Sequence, residues 1–190
     1  MKGLEKVKKK IFTITLLGFF SILNADIISQ NGIAKDSETG LEWQDEPYTK
    51  AEIKAHFGNQ NIGKMGNREY ANKYCENLTL GGYDDWRLPN IYELVTLIDD
   101  TKSENPYRVD GFKNFPSDYG YWSSTTQDKT DFTWYVEFYL GAYDWNDRAN
   151  KNFIRCVRAK ELNFDNLPFE LKLSLKIFYH LHLYLIYIKN

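Results

Sequence analysis

The chain has 190 residues, of which 43% are hydrophobic and 16% aromatic, with a formal net charge of −2. That composition excludes a disordered polymer, and the length fits one main domain flanked by shorter segments. The mild acidity excludes a generally basic nucleic-acid binder, whose affinity would come from neutralising phosphates.

The first 25 residues have the order of a secretory signal peptide. Lys2, Lys6, Lys8, Lys9 and Lys10 give a positive start, an apolar run follows from Ile11 to Leu23, and Leu23-Asn24-Ala25 supplies a small residue before Asp26. Basic, apolar and small is the sequence of regions that export signals require. The run is shorter than the ~20 apolar residues of a transmembrane helix. Residues 1–25 are therefore expected to be a cleaved leader, with an uncleaved anchor as the alternative. The mature protein would be secreted or held in the periplasm or cell envelope. Cleavage removes five lysines and one glutamate, taking the net charge to about −6 and further from nucleic-acid binding.

Residues 26–160 read as one globular domain. Ile33–Asp36, the turn cluster Ser37-Glu38-Thr39-Gly40 and the alternating Leu41-Glu42-Trp43-Gln44 predict a hairpin with Leu41 and Trp43 facing inward. Thr49 with Glu52 forms a capping box that starts a helix at Lys50, running to about Phe57. A second helix is expected over Arg68–Leu78, where Tyr70, Ala71, Tyr74, Cys75 and Leu78 share one face. Asn90 with Glu93 starts a third, carrying Ile91, Leu94, Val95 and Ile98 at helical spacing. A long polar loop fills 101–120. Three strand-like runs follow, at Tyr121–Thr125, Thr133–Tyr139 and Asn152–Val157, with Gly141–Asn150 read as the turn between the last two.

Residues 161–190 form a tail of different character. From Leu171 to Tyr187 every odd position is Leu, Ile or Tyr, while Lys172, Ser174, Lys176, His180 and His182 occupy even positions. The period of two suits an amphipathic strand, and a terminal helix fits nearly as well. Either would bury one face against the domain, a partner or a membrane surface.

The chemistry available is limited. Cys75 and Cys156 are even in number and expected in an oxidising compartment, so a disulfide is the default reading. Free thiols or a metal pair are the alternatives. His56 is the one histidine between the leader and the tail, no motif sets a nucleophile beside it, and it reads as an ordinary helix residue. Asp84-Asp85 and Asp99-Asp100 read as solvated loop carboxylates. Arg87 and Arg158 could contact an anion, but each flanks a core element and pairing with an acid is the preferred reading. Trp86, Trp122 and Trp134 are expected in the core. Tyr119, Tyr121, Tyr139, Tyr143 and Trp145 lie on or beside loops and are the candidate ligand-binding aromatics.

Several segments occur in a telling order: Thr39-Gly40-Leu41-Glu42-Trp43, Ala71-Asn72-Lys73-Tyr74-Cys75, Gly82-Tyr83-Asp84-Asp85-Trp86-Arg87-Leu88-Pro89, Tyr121-Trp122-Ser123-Ser124-Thr125 and Arg155-Cys156-Val157-Arg158. The set resembles the Lcl C-terminal domain family over about residues 33–159. The resemblance implies an α+β, C-type-lectin-like fold: an early hairpin, two to three helices, a long irregular loop and a closing antiparallel sheet. It also implies a core disulfide from a helix to the last strand, matching Cys75 and Cys156. Trp145-Asn146-Asp147 is similar to a calcium-binding motif of sugar-binding C-type lectins, so Asn146 and Asp147 are the candidate metal ligands, through hard oxygens. The partner motif of those lectins is absent, Glu104-Asn105-Pro106 being a scrambled form, and a structural turn is the preferred reading of the site.

The functional expectation is an exported, non-catalytic binding module for a glycan or an extracellular protein. Calcium is its one candidate cofactor. The alternatives are an envelope protein attached through its tail, and an enzyme of the formylglycine-generating type, which would need reactive cysteines.

Overall fold

A computed structural model describes residues 27–58, 60–126 and 130–159. The expected leader and tail, residues 1–25 and 161–190, lie outside the described residues. The domain is α+β, built on two sheets. The first begins with β1 (Ile27–Gln30) and β2 (Ile33–Asp36), antiparallel about Asn31-Gly32. Those two residues have φ of 54° and 78°, the paired left-handed conformation of a type I′ turn, which Asn-Gly adopts readily. β3 (Glu42–Gln44) returns along β2 after a turn held by Asp36, whose carboxylate accepts from the N–H groups of Glu38 and Thr39 and from the Thr39 hydroxyl. Leu41 and Trp43 are buried, as their alternation predicts. β9 (Val157–Arg158) completes the order β1-β2-β3-β9.

Both predicted capping boxes form. In α1 (Lys50–Ala55), Thr49 accepts from the Glu52 N–H while the Glu52 carboxylate accepts from the Thr49 N–H. In α3 (Ile91–Val95), Asn90 and Glu93 exchange the same two bonds. Both helices end earlier than the apolar pattern suggests, α3 at the cap residue Thr96. Asp99 opens the following loop and accepts from the N–H and hydroxyl of Thr101. Between them α2 (Arg68–Glu76), capped by Asn67, buries Ala71 and Cys75. Cys75 is bonded to Cys156, 81 residues further along, with S–S 2.09 Å and Cα–Cα 5.4 Å. Trp86, Leu88, Trp122 and Ile154 surround the bridge.

The second sheet has the order β4-β8-β5-β6-β7. Its strands are β4 (Met65–Gly66), β5 (Tyr121–Thr126), β6 (Phe132–Glu137), β7 (Ala142–Asp147) and β8 (Asn152–Phe153). Only β5 and β8 run parallel. A larger core, including Trp43, Leu94, Leu97, Tyr121, Val136, Phe138 and Phe153, joins the two sheets. Two sequence expectations are corrected here. The run Asn152–Val157 is not one strand: β8 belongs to one sheet and β9 to the other, and Ile154-Arg155-Cys156 carries the chain between them. Gly141–Asn150 is not simply a turn, because its first part is β7, paired with β6 over six residues.

Glu52 links α1 to the approach to β4. Its carboxylate accepts from the Lys64 N–H at 2.7 Å and meets the Lys64 ammonium at 3.1 Å, with both side chains buried. A Cβ on Gly63, where φ is 50°, would collide with this carboxylate. Burial would push the Glu52 pKa up, but the N–H groups of Thr49 and Lys64 and the Lys64 ammonium outweigh it and hold the pKa below the usual range. Glu42 is likewise held low against its burial by Lys35 and Arg158. Protons therefore bind the unfolded chain more tightly than the folded one. The stability these groups contribute is complete above the ordinary glutamate pKa of about 4.3 and is lost as pH falls through the lower folded-state value. Urea midpoints should drop as pH falls below about 5. Glu52→Gln should be less stable at neutral pH and show a shallower acid loss; an unchanged slope would rule Glu52 out as a contributor.

Candidate ligand-binding surface

The β6–β7 hairpin sorts its side chains by strand alternation. Trp134 lies opposite Trp145, and Val136 opposite Tyr143. On that face Val136 is buried in the main core, Trp134 and Tyr143 are half-buried against it, and Trp145 is half-exposed. The rings of Trp134 and Trp145 meet edge to face at 4.5 Å, and Tyr143 lies 5.9 Å from Trp134. The result is a preformed aromatic ladder with one side in the core and the other toward water, and Phe132 lies at its end, 44% exposed. The opposite face carries Thr133, Tyr135 and Glu137 against Asn146, Asp144 and Ala142.

The other candidates are placed elsewhere. Tyr139 is at the hairpin tip beside Leu140, both exposed. Tyr119 stacks on His56 at 3.8 Å, with Phe57 edge-on to both rings. Phe57 is 79% exposed, so this is a second aromatic surface, which the sequence reading missed by treating His56 as an ordinary helix residue. His56 caps α1, and its Nδ1 lies 2.9 Å from the Lys151 carbonyl, which can only accept. Tyr121 is not a surface residue: it is fully buried, and its hydroxyl donates to the Pro116 carbonyl. Burial raises the pKa of Tyr119 and Tyr143, so both keep a neutral hydroxyl able to donate as well as accept.

Asn146 and Asp147 are consecutive on β7 and so project from opposite faces of the sheet. The Asn146 carbonyl oxygen accepts from Asn150 and the Asp147 carboxylate from the Ala149 N–H. Their side chains accept bonds from the turn that follows β7 and, on opposite faces, do not converge as a pair of calcium ligands. Among the described residues no group of three or more His, Cys, Asp or Glu is placed to hold a metal. The residues at this position therefore do not fit the calcium that the lectin likeness implied.

The model of the Lcl C-terminal domain family matches residues 32–158, more than half of the chain. The chain belongs to this family. A comparison with curated proteins found no match. The matched span runs from the β1–β2 turn to β9. Within this Lcl C-terminal domain the segments that carry the likeness are mostly architectural. Trp86 and Leu88 pack about the disulfide, while Arg87 grips the buried Glu93 through two bonds of 2.7 Å. Trp122 is buried and donates to the Gly66 carbonyl. Arg158 pairs with Glu42 and Asp85 and lies 3.5 Å above the Tyr83 ring. Arg87 and Arg158 are thus ion-paired, as expected.

Arg155 was not singled out from the sequence, yet it has the most demanding environment in the domain. It is fully buried and donates to the carbonyls of Gln44 and Asn114. Its guanidinium lies 3.4 Å from buried Asp45 and within 4.3–5.7 Å of the rings of Phe112, Phe115 and Tyr121. Asp45 also accepts from the Ser29 hydroxyl and the N–H groups of Lys113 and Asn114. The pair thereby fastens the end of the long loop to both sheets. The only available signal was a basic residue inside the apolar run Ile154–Val157.

Proposed function

We propose that this Lcl C-terminal domain is an exported, non-catalytic binding module of C-type-lectin-like architecture, taking a glycan or an extracellular protein on the aromatic face of β6–β7. The observation that carries this reading is the Trp134–Trp145–Tyr143 ladder, which offers half-exposed rings on a rigid sheet with a neutral phenol at one side. Flat rings with polar rims suit both sugar and protein contacts, and rings already fixed by packing lose little entropy on binding. Export is supported by the leader-like start and by a disulfide that an oxidising compartment would preserve. The bridge also takes both thiols of the chain, which weighs against the formylglycine-generating alternative.

The test is a glycan array probed with the chain lacking residues 1–25, in calcium and in chelator. Binding should survive chelator, because Asn146 and Asp147 do not form a joint site. Trp145→Ala should weaken it at least ~10-fold, the effect of a modest hot-spot residue, with circular dichroism unchanged. Equal binding by a folded Trp145→Ala variant would remove the ladder from the proposal. No ligand on the array would turn the search to protein partners.

A further inference from the structure

Beside the end of α1 a series of rings runs from the main core out to water. Phe153 is fully buried, Tyr119 lies 5.5 Å from it, His56 stacks on Tyr119, and Phe57 stands edge-on to both. The backbone holds Phe57 where it is. Its N–H donates to the Lys54 carbonyl and that of Gly58 to the Ala55 carbonyl, closing the helix end around it. A ring so placed and largely exposed adds little to the core. Apolar groups gathered at a surface with a polar rim mark contact sites. Polar groups do border these rings. Because the Lys151 carbonyl can only accept, the neutral His56 ring carries its proton on Nδ1 and offers Nε2 as an acceptor. Neither that Nε2 nor the Tyr119 hydroxyl has a hydrogen-bond partner among the described residues. Asn61 accepts at Oδ1 from the Asn67 N–H and the Lys151 ammonium. Its two Nδ2 hydrogens and two of the ammonium hydrogens remain available, and Asn61 is exposed.

We infer that Phe57, His56, Tyr119, Asn61 and Lys151 form a second binding site, one that takes a pyranose ring of a glycan. The C–H face of the sugar lies on Phe57, and its hydroxyls meet His56 Nε2, the Tyr119 hydroxyl and the Asn61 amide. The mixture of groups selects this occupant. Sugar hydroxyls both donate and accept, so they can satisfy an acceptor, a phenol and amide donors together. An apolar chain laid on the same rings would strip water from the imidazole and the amide and give them no partner, which costs free energy at each group. The rings are already fixed by stacking and by the His56–Lys151 bond, so little order has to be gained on binding. The inference goes beyond the β6–β7 reading and stands apart from it, because Lys151 leads into β8, and β5 separates β8 from β6 and β7 in the sheet.

Residue-resolved NMR of the chain lacking residues 1–25 tests it, with methyl β-glucopyranoside, methyl β-galactopyranoside and N-acetylglucosamine as probes and glycerol as the control. At least one of the sugars should shift the signals of His56, Phe57, Asn61 and Lys151 saturably, with a dissociation constant of ~1–10 mM for one ring on one open face. Phe57→Ala removes an exposed side chain, so the fold should be unchanged and these shifts weakened ~10-fold. His56→Phe keeps a ring against Tyr119 but removes the acceptor, and it should weaken binding too, whereas a merely apolar patch would bind as well or better. Any shifts at Trp134 and Trp145 should survive Phe57→Ala, and Trp145→Ala should leave the Phe57 site intact, so this site and the β6–β7 site stand or fall separately. Parent-like binding by both folded variants would overturn the inference. So would the absence of saturable shifts at these residues with all three sugars up to ~100 mM, or equal shifts with glycerol.

Discussion

Replacing Arg155 with methionine should destabilise the domain by about 3–5 kcal/mol, the range for removing one partner of a buried ion pair. The loss has three sources. The carbonyls of Gln44 and Asn114 each lose a donor inside the protein, and buried groups left unsatisfied cost about 1–3 kcal/mol each. The rings of Phe112, Phe115 and Tyr121 lose the cation they surround. Asp45 keeps its bonds from Ser29, Lys113 and Asn114 but loses the cation beside it in a buried site. Arg155→Met with Asp45→Asn should therefore recover part of the loss, because the remaining buried group becomes neutral. Chemical denaturation of both variants checks this. A single variant within about 1 kcal/mol of the parent would mean that the pair sits in a better solvated site than its burial indicates.

Removing the disulfide should have an effect of similar size. The bridge joins residues 81 apart, and closing a loop of that length restricts the unfolded chain by about 4–5 kcal/mol on the chain-entropy account. The sulfurs also fill the centre of the smaller core, so Cys75→Ala with Cys156→Ala loses packing in addition. Unfolding of the oxidised parent, the reduced parent and the double variant separates the contributions. The reduced parent keeps the sulfur volume and should lie between the other two. A reduced protein as stable as the oxidised one would show that the native packing already restrains the chain without the covalent link.

The parts of this fold legible in the sequence were those whose signals are local. The capping boxes at Thr49 and Asn90 need only residues three apart, and both formed. The inward positions of Leu41 and Trp43, and of Val136 and Phe138, follow from a period of two, whereas Trp134, expected in the core with them, is half-buried and Thr133 on the opposite face is buried. What escaped depended on distant neighbours. β1 carries the Asn-Gly signal of its hairpin but buries only Ile27, leaving Ile28 67% exposed, so it has little alternation to display. Asn152–Val157 is buried at every position, and uniform burial conceals the point at which a chain leaves one sheet for another. β7 is rich in Asp and Asn, as turns are, and only its pairing with β6 makes it a strand. Among the candidate aromatics, Trp145 and Tyr143 belong together on one strand, while the grouping of Tyr119 with His56 and Phe57 depends on the packing of a loop against a helix end. Arg155 was the hardest to foresee, because a buried cation is defined by the groups around it.

The position of the bridge also determines how the domain bears a pulling force. Tension between Ile27 and the end of β9 reaches Cys156 almost at once and crosses directly to Cys75. The residues between the two cysteines are bypassed, so α3, the long loop and most of the five-stranded sheet carry no load while the bond holds. Stretching can draw out only the segment before Cys75 and a few residues after Cys156, and the extensible length is shortened by roughly 280 Å. Under tension applied at those two ends, the β6–β7 face would thus stay folded for as long as the bridge holds.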